Sequence, residues 1–215
     1  MSIVTNWGYT LPDLDVLPDL LIADEFHSYT AYKYAGGGAT GEARVVAELK
    51  AASAAIRDYC GWHVSPSASC SMSEHLLYGN GRVKRVANDL MIQLPAKFVS
   101  AVSQVLIGEA EHTDFALETN GILHVFDVNT CGLSRKTQIT VNYTAGIGAS
   151  GLGAVKELAS HMATHALAVP AGITSEAAGG VSVTYNAHWA NSTRATALPD
   201  DSKDVLAPYR IQGVF

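Results

Sequence analysis

Apolar residues recur at Val45, Leu49, Ala52, Ile56 and Tyr59, in steps of four, three, four and three. That spacing lines one face of a helix and predicts one over Glu42 to Cys60. Ala43, Ala47, Ala51, Ala54 and Ala55 fill much of the remaining surface with strong helix formers. Thr40 is the expected N-cap, and Ala43 stands where a capping box needs Glu or Gln. Arg44 and Glu48 fall at i,i+4 on the wet side. Gly61 is expected to end the helix in a left-handed turn, after which Trp62 and Val64 return as apolar anchors. A second helical period runs through Leu152, Val155, Leu158, Met162, Ala166 and Val169, and Pro170 stops it.

Between these helices the period changes to two. Leu90, Ile92 and Leu94 alternate with Met91 and Gln93 until Pro95. Val99 to Ile107, Phe115 to Leu117, Ile122 to Val125 and Thr137 to Thr144 read as further strands. Asn120-Gly121 is a hairpin signal, and Gly79-Asn80-Gly81 marks another turn. Residues 72–145 are therefore expected to form about five or six antiparallel strands. Ser65 to Ser71 reads as a loop, and residues 1–20, with Pro12 and Pro18, as an extended arm. A short helix is expected through Phe26 and Tyr29, then a flexible joint at Gly36-Gly37-Gly38. Late in the chain, Gly172 to Gly180 reads as a loop, Val181 to Tyr185 as a short strand, and Asn186 to Ala197 as a mobile segment. Asp200 and Asp201 suit the first turn of a final short helix through Val205 and Leu206.

The expected fold class is α+β: a small α-helical bundle core with a β-rich antiparallel insertion between the two long helices. The expected divisions are an N-terminal arm and short helix over 1–38, a helical core over 39–64 and 146–215, and the insertion over 65–145.

Composition narrows the function. The 215 residues are 48% hydrophobic and only 16% charged, with mean hydropathy +0.13. So few charges suit a chain that covers surface in an oligomer. The net charge of −6 argues against a general nucleic-acid binder, which needs basic patches. No apolar run reaches the roughly 18 residues of a membrane span. Met1 to Tyr9 lacks the basic and apolar segments of a signal peptide. Cys60, Cys70 and Cys131 are an odd, sparse set, expected as reduced thiols.

Candidate chemistry is thin. His161 and His165 share a helix face at i,i+4, but Met162 stands where a metalloprotease carries Glu, and no third ligand is evident. Cys60 and His63 suggest a thiolate pair, yet Cys60 falls at the C-terminal end of its helix, where the dipole raises a thiol pKa. Cys60 is therefore expected as a small buried hydrophobe. The glycine clusters lack phosphate-loop spacing. Arg82, Lys84 and Arg85 form the one dense basic cluster, with Arg82 and Lys84 on one face of a strand and Arg85 on the other, expected as a solvated hairpin. No motif joins a nucleophile, a base and an oxyanion site, so no catalytic residue, metal site or cofactor is expected.

The C-terminus carries the candidate binding residues. Val205, Leu206, Tyr209, Ile211, Val214 and Phe215 place six apolar or aromatic residues in the last eleven. Tyr and Arg are enriched at interface hot spots. Tyr209, Arg210, Ile211, Val214 and Phe215 are the candidate partner-binding set, with Val205 and Leu206 on the core. The other reading packs the whole tail on its own core.

Three stretches together resemble the phage head-tail connector, or head completion adaptor, family. The first is the Ala-rich helix ending Ala55-Ile56-Arg57-Asp58-Tyr59-Cys60-Gly61-Trp62-His63. The second is Val141-Asn142-Tyr143-Thr144-Ala145-Gly146, followed by Val155-Lys156-Glu157-Leu158. The third is Gly172-Ile173-Thr174-Ser175-Glu176 with Val181-Ser182-Val183-Thr184-Tyr185, then Val205-Leu206-Ala207-Pro208-Tyr209-Arg210. They span residues 40 to 210 in the family's order. The resemblance implies a virion structural protein at the neck, assembled in the host cytoplasm. About 12 copies would form a homo-oligomeric ring beneath the portal protein, a closed assembly with heterologous interfaces. It would meet a tail protein or second neck protein, and DNA would pass through the lumen without specific binding. The family has no catalytic residues to carry over. This chain departs from its shortest members in the long stretch 65–145 and in the arm 1–38. Two alternatives stay open: a tail completion protein, and a metal- or thiol-dependent hydrolase.

Overall fold

The structure is a computed structural model that describes residues 2–29, 35–36, 38–76, 81–118, 120–128, 133–168, 175–178, 181–184, 198 and 200–211. Twelve strands lie among them. They are β1 (Ile3–Val4), β2 (Tyr9–Leu11), β3 (Ala68–His75), β4 (Val83–Val86), β5 (Asp89–Gln93) and β6 (Val99–Ile107), then β7 (Ala110–Glu111), β8 (Phe115–Leu117), β9 (Ile122–Val125), β10 (Gln138–Ala145), β11 (Ser175–Ala178) and β12 (Val181–Thr184). The α-helices among the described residues are α1 (Ala23–Tyr29), α2 (Gly38–Cys60), α3 (Gly153–Ala168) and α4 (Asp200–Leu206).

The chain divides into two compact units. One comprises Met1–Pro18, Gly61–Ala149 and Tyr209–Phe215; the other comprises Asp19–Cys60 and Ser150–Pro208. The first unit holds a six-stranded antiparallel sheet, ordered β1-β2-β3-β10-β6-β7, and a four-stranded one, ordered β4-β5-β9-β8. The second holds the helices and the β11-β12 hairpin.

This overturns the expectation of a helical bundle core with two long helices and a β excursion. The protein is a mixed α+β fold whose two sheets carry ten strands, beside helices of 7, 23, 16 and 7 residues. The physical reason is that the strands bury a core of their own. Leu11, Met72, Leu90, Ile92, Val105, Leu123, Val141 and Tyr143 are almost fully buried, together with Trp62 and Leu94. Two stretches without an obvious signal join the sheets. Residues 3–11 pair as a hairpin, and β2 then pairs with β3. Ala68 to Ser71, expected as loop, belong to β3, where Ser69 and Ser71 alternate with inward Cys70 and Met72.

Strand β6 shows why simple alternation fails there. Asn142 lies opposite Gln104 but Tyr143 opposite Val102; Thr144 lies opposite Ala101 but Ala145 opposite Val99. Ser103 and Ser100 are the extra residues, and each bulge reverses the face that follows it. The Ser103 hydroxyl donates to the Asn142 carbonyl at 3.0 Å, and Ser100 donates to Thr144 at 3.4 Å.

In the helical unit, α2 begins at Gly38, so Thr40 sits inside the first turn and is not its cap. Its buried face carries Val45, Leu49, Ala52, Ile56 and Cys60; Tyr59 is only half-buried. Arg44 reaches back to donate to the Ala35 carbonyl at 3.3 Å. Helix α3 packs on α2, and its buried residues include Val155, Leu158, Ala159, Met162 and Ala163. The ammonium of Lys156 on α3 lies 2.6 Å from the Glu25 carboxylate on α1. Ser175 to Ala178, expected as loop, form a strand with β12. Residues 79–80, 169–174 and 185–197 lie outside the described set, so the turn at Gly79, the stop at Pro170 and the segment Asn186–Ala197 are not placed.

Leu49 is 1% exposed in the middle of α2. Leu49→Ala is expected to lower unfolding free energy by about 2–5 kcal/mol through lost burial and a residual cavity. Urea denaturation followed by far-UV circular dichroism measures it.

Candidate partner-binding surface

Helix α2 ends at Cys60, and Gly61 turns left-handed at φ 78°. The chain then delivers Trp62 and His63 into the core of the β unit, where both are fully buried. His63 is held on every side. Tyr9 Oη lies 2.7 Å from its Nδ1 and accepts its backbone N–H at 3.0 Å. Its Nε2 lies 3.0 Å from the Pro66 carbonyl and 3.2 Å from the Ala145 carbonyl. Two carbonyls facing Nε2 require the proton there, so Nδ1 accepts from the Tyr9 hydroxyl. Cys60 and His63 therefore do not form the thiolate pair that their spacing suggests: the ring nitrogens are taken by Tyr9, Pro66 and Ala145.

Beside this network lie Cys70 and Tyr143, cross-strand partners on β3 and β10. Burial pushes the Cys70 thiol from 9.0 to about 12, a shift partly opposed by hydrogen bonds with Ala145 and Tyr143. Burial, joined by the nearby Cys70 and Tyr9, also pushes the Tyr143 phenol well up. A thiol held protonated is a poor nucleophile. Chemically this cluster supplies hydrogen bonds and volume.

The Trp62 indole leads to the surface. Its Nε1–H donates to the Tyr209 carbonyl at 2.6 Å and so anchors the C-terminal segment. The Phe98 ring stacks on Trp62, with centroids 6.1 Å apart at 23°, and leans against Tyr209 at 5.9 Å. Phe98 is 48% exposed and has φ 52°, a backbone region that a bulky residue rarely enters. Of the candidate binding residues, Tyr209 and Ile211 are half-buried and Arg210 is exposed. Val214 and Phe215 lie outside the described residues. In the helical unit Leu206 is buried, but Val205, expected on the core, is 44% exposed.

The other candidates are placed as follows. His161 is exposed, 3.8 Å from Glu157, and burial lowers the pKa of His165. Among the described residues, no group of three or more His, Cys, Asp and Glu is arranged to share a metal ion. The Arg82 guanidinium lies 3.7 Å from the Glu74 carboxylate, with both side chains largely covered. Arg82 is thus not the solvated residue expected of a hairpin, whereas Lys84 and Arg85 are exposed on β4. Cys131 lies outside the described residues.

Sequence patterns gave no sign of Phe98 or Tyr9. Phe98 sits in a bend after Pro95, outside any periodic run, and Tyr9 belongs to a three-residue strand.

His63→Ala is expected to cost about 2–4 kcal/mol, because two carbonyls and a phenol lose their partner in a dry site. Urea unfolding followed by tryptophan fluorescence measures it. Alkaline stability follows from Cys70 and Tyr143. Their folded pKa values are raised, so the unfolded chain releases these protons first as pH climbs. Stability is therefore full below pH 9 and falls between 9.0 and about 12. Cys70→Ala should reduce that fall by up to about 1.4 kcal/mol per pH unit, read from unfolding curves across this range.

No family model and no curated protein matches this chain.

Proposed function

We propose that this protein is a virion structural protein, a head-to-tail connector that forms a ring between the portal and the tail through which DNA passes. The observation that supports this reading is a convergence. The three stretches that resemble the connector family lie far apart in sequence, yet Trp62 and His63 of the first, Val141 to Gly146 of the second and Tyr209 and Arg210 of the third lie in the β unit. His63 of the first faces the Ala145 carbonyl of the second, and Trp62 of the first donates to the Tyr209 carbonyl of the third. Their shared order thus has a physical counterpart in one hydrogen-bonded cluster. At its surface Phe98, Tyr209 and Arg210 present the residue types that dominate interface energetics.

The acidic net charge suits a lumen along which DNA slides without phosphate contacts. Among the described residues no helix is long and apolar enough to cross a membrane.

The test is a symmetry count at the neck of particles that contain this chain. About 12 copies in a ring beneath the portal are expected. A single or dimeric copy there, or none, would overturn the proposal. Phe98→Asn removes the ring but relieves its left-handed backbone, and Arg210→Ala changes an exposed side chain, so each should shift stability by no more than about 1 kcal/mol. Each should nevertheless sharply reduce attachment to portal-bearing heads, scored by sedimentation of tagged chain with purified heads.

A further inference from the structure

The four-stranded sheet ends in β4 on one side and β8 on the other. A sheet edge presents a row of backbone donors and acceptors, and proteins guard it or use it. The two edges here differ in sign. Strand β4 carries exposed Lys84 and Arg85, with exposed Val86 next to them. Strand β8 is bracketed by exposed Asp114 and Glu118, and Glu118 lies 2.9 Å from His124 on the neighbouring β9. Guarding alone needs only like charges, which repel any approaching copy. Opposite charges at the two ends of one sheet are what a head-to-tail contact requires.

Strand direction and register agree with that. The sheet has four strands, all antiparallel to their neighbours, so its two edges run in opposite directions. Placing a second copy in the same orientation therefore sets β4 antiparallel to β8 of the first. The Gln93 N–H donates to the Arg82 carbonyl, which in this ladder turns the backbone groups of Val83 and Arg85 away from β5. The Phe126 N–H donates to Asp114 and the Glu118 N–H to Ile122, which turns those of Phe115 and Leu117 away from β9. Each edge thus aims two alternate residues outward.

We infer that these edges are two halves of one contact, through which β4 of one copy of this chain pairs with β8 of the next. This rests on the ring-former reading and names the contact that closes the ring. Val83 pairs with Leu117 of the next copy, and Arg85 with Phe115. Both pairs lie on the side that holds buried Leu90, Ile92, Leu123 and Val125, so the apolar face runs on across the boundary. The Arg85 guanidinium meets an aromatic face there. Lys84 falls opposite Ala116, diagonal to both Asp114 and Glu118 of the neighbour, within the reach of cross-strand pairs. A heterologous contact of this kind closes into a ring when its rotation divides a full turn.

Two charge-reversed chains test it: K84E, which reverses the cation that faces Asp114 and Glu118, and D114K/E118K, which makes both edges basic. Sedimentation velocity of the concentrated full-length chain is expected to show self-association, weakened at least about 10-fold in each variant alone. An equimolar mixture of the two, or one chain bearing all three substitutions, should restore it. The threefold chain also shows that the substituted edges still fold. A wild-type chain that stays monomeric up to its solubility limit overturns the inference. So do single variants that associate like wild type, or a mixture that does not recover. Particles separate this from the connector reading: variants still found as a ring at the neck reject the edge contact and keep the connector. Edge-dependent association in a chain that never attaches to heads does the reverse.

Discussion

The buried imidazole of His63 is the interaction on which the β unit depends. One side chain joins three separate parts of the chain: β2 through Tyr9, the turn after α2 through Pro66, and the end of β10 through Ala145. The turn itself is unfavourable locally. Val64 has φ 65°, strained for a β-branched residue, and the Ser65 N–H closes a three-residue turn onto the His63 carbonyl at 2.7 Å. The surroundings hold it there. The Ile147 N–H donates to the Val64 carbonyl at 2.8 Å. Gly146 lies against the Pro66 carbonyl so closely that any Cβ would collide with it. Removing the imidazole would release both the strain and the strands that it restrains.

Regular periodicity was legible in the sequence and local irregularity was not. Strand β6 and the β9 hairpin have their expected bounds, and the buried positions of α2 follow the helical stripe as far as Ile56. What escaped depends on partners. Strands β1, β2 and β11 have two to four residues, too few to establish a period, and exist because an adjacent strand supplies their hydrogen bonds. Strand β3 hid behind its serines, since small polar residues signal a turn unless something pairs with them. In β6 the bulges at Ser100 and Ser103 place Val99, Val102 and Val105 at intervals of three, a spacing that resembles neither template. The fold class failed for the same reason. The helices announce themselves one by one, but the sheet core is the sum of many short pieces.

The site was legible in part. Tyr209 and Arg210 stand out by residue type, and the structure ties the first to Trp62. His63 is conspicuous in sequence as a neighbour of Cys60, which points towards catalysis. Two of its three ring partners are 54 and 82 residues away, beyond any local pattern. Both compact units are built from separated pieces of chain, so contacts across long sequence distances are the rule here. Such a topology folds slowly, because loop closure precedes the contacts that reward it.

Phe98 shows most clearly that stability alone does not account for the surface. Its left-handed backbone costs about 1–2 kcal/mol for a residue with a Cβ. Leaving 48% of the side chain in water forfeits much of its burial energy. Its stack on Trp62 returns about 0.5–1.5 kcal/mol. These terms nearly cancel, so a glycine or asparagine would serve the fold about as well. The same ring is worth more where a second surface covers its open side, because the backbone cost has already been met in the free chain. Trp62 beneath it is fixed, its indole N–H committed to the Tyr209 carbonyl, so Phe98 is pre-set and loses little freedom on contact. On the connector reading proposed above, this rigid, half-open aromatic is where the surface of a partner would return that energy.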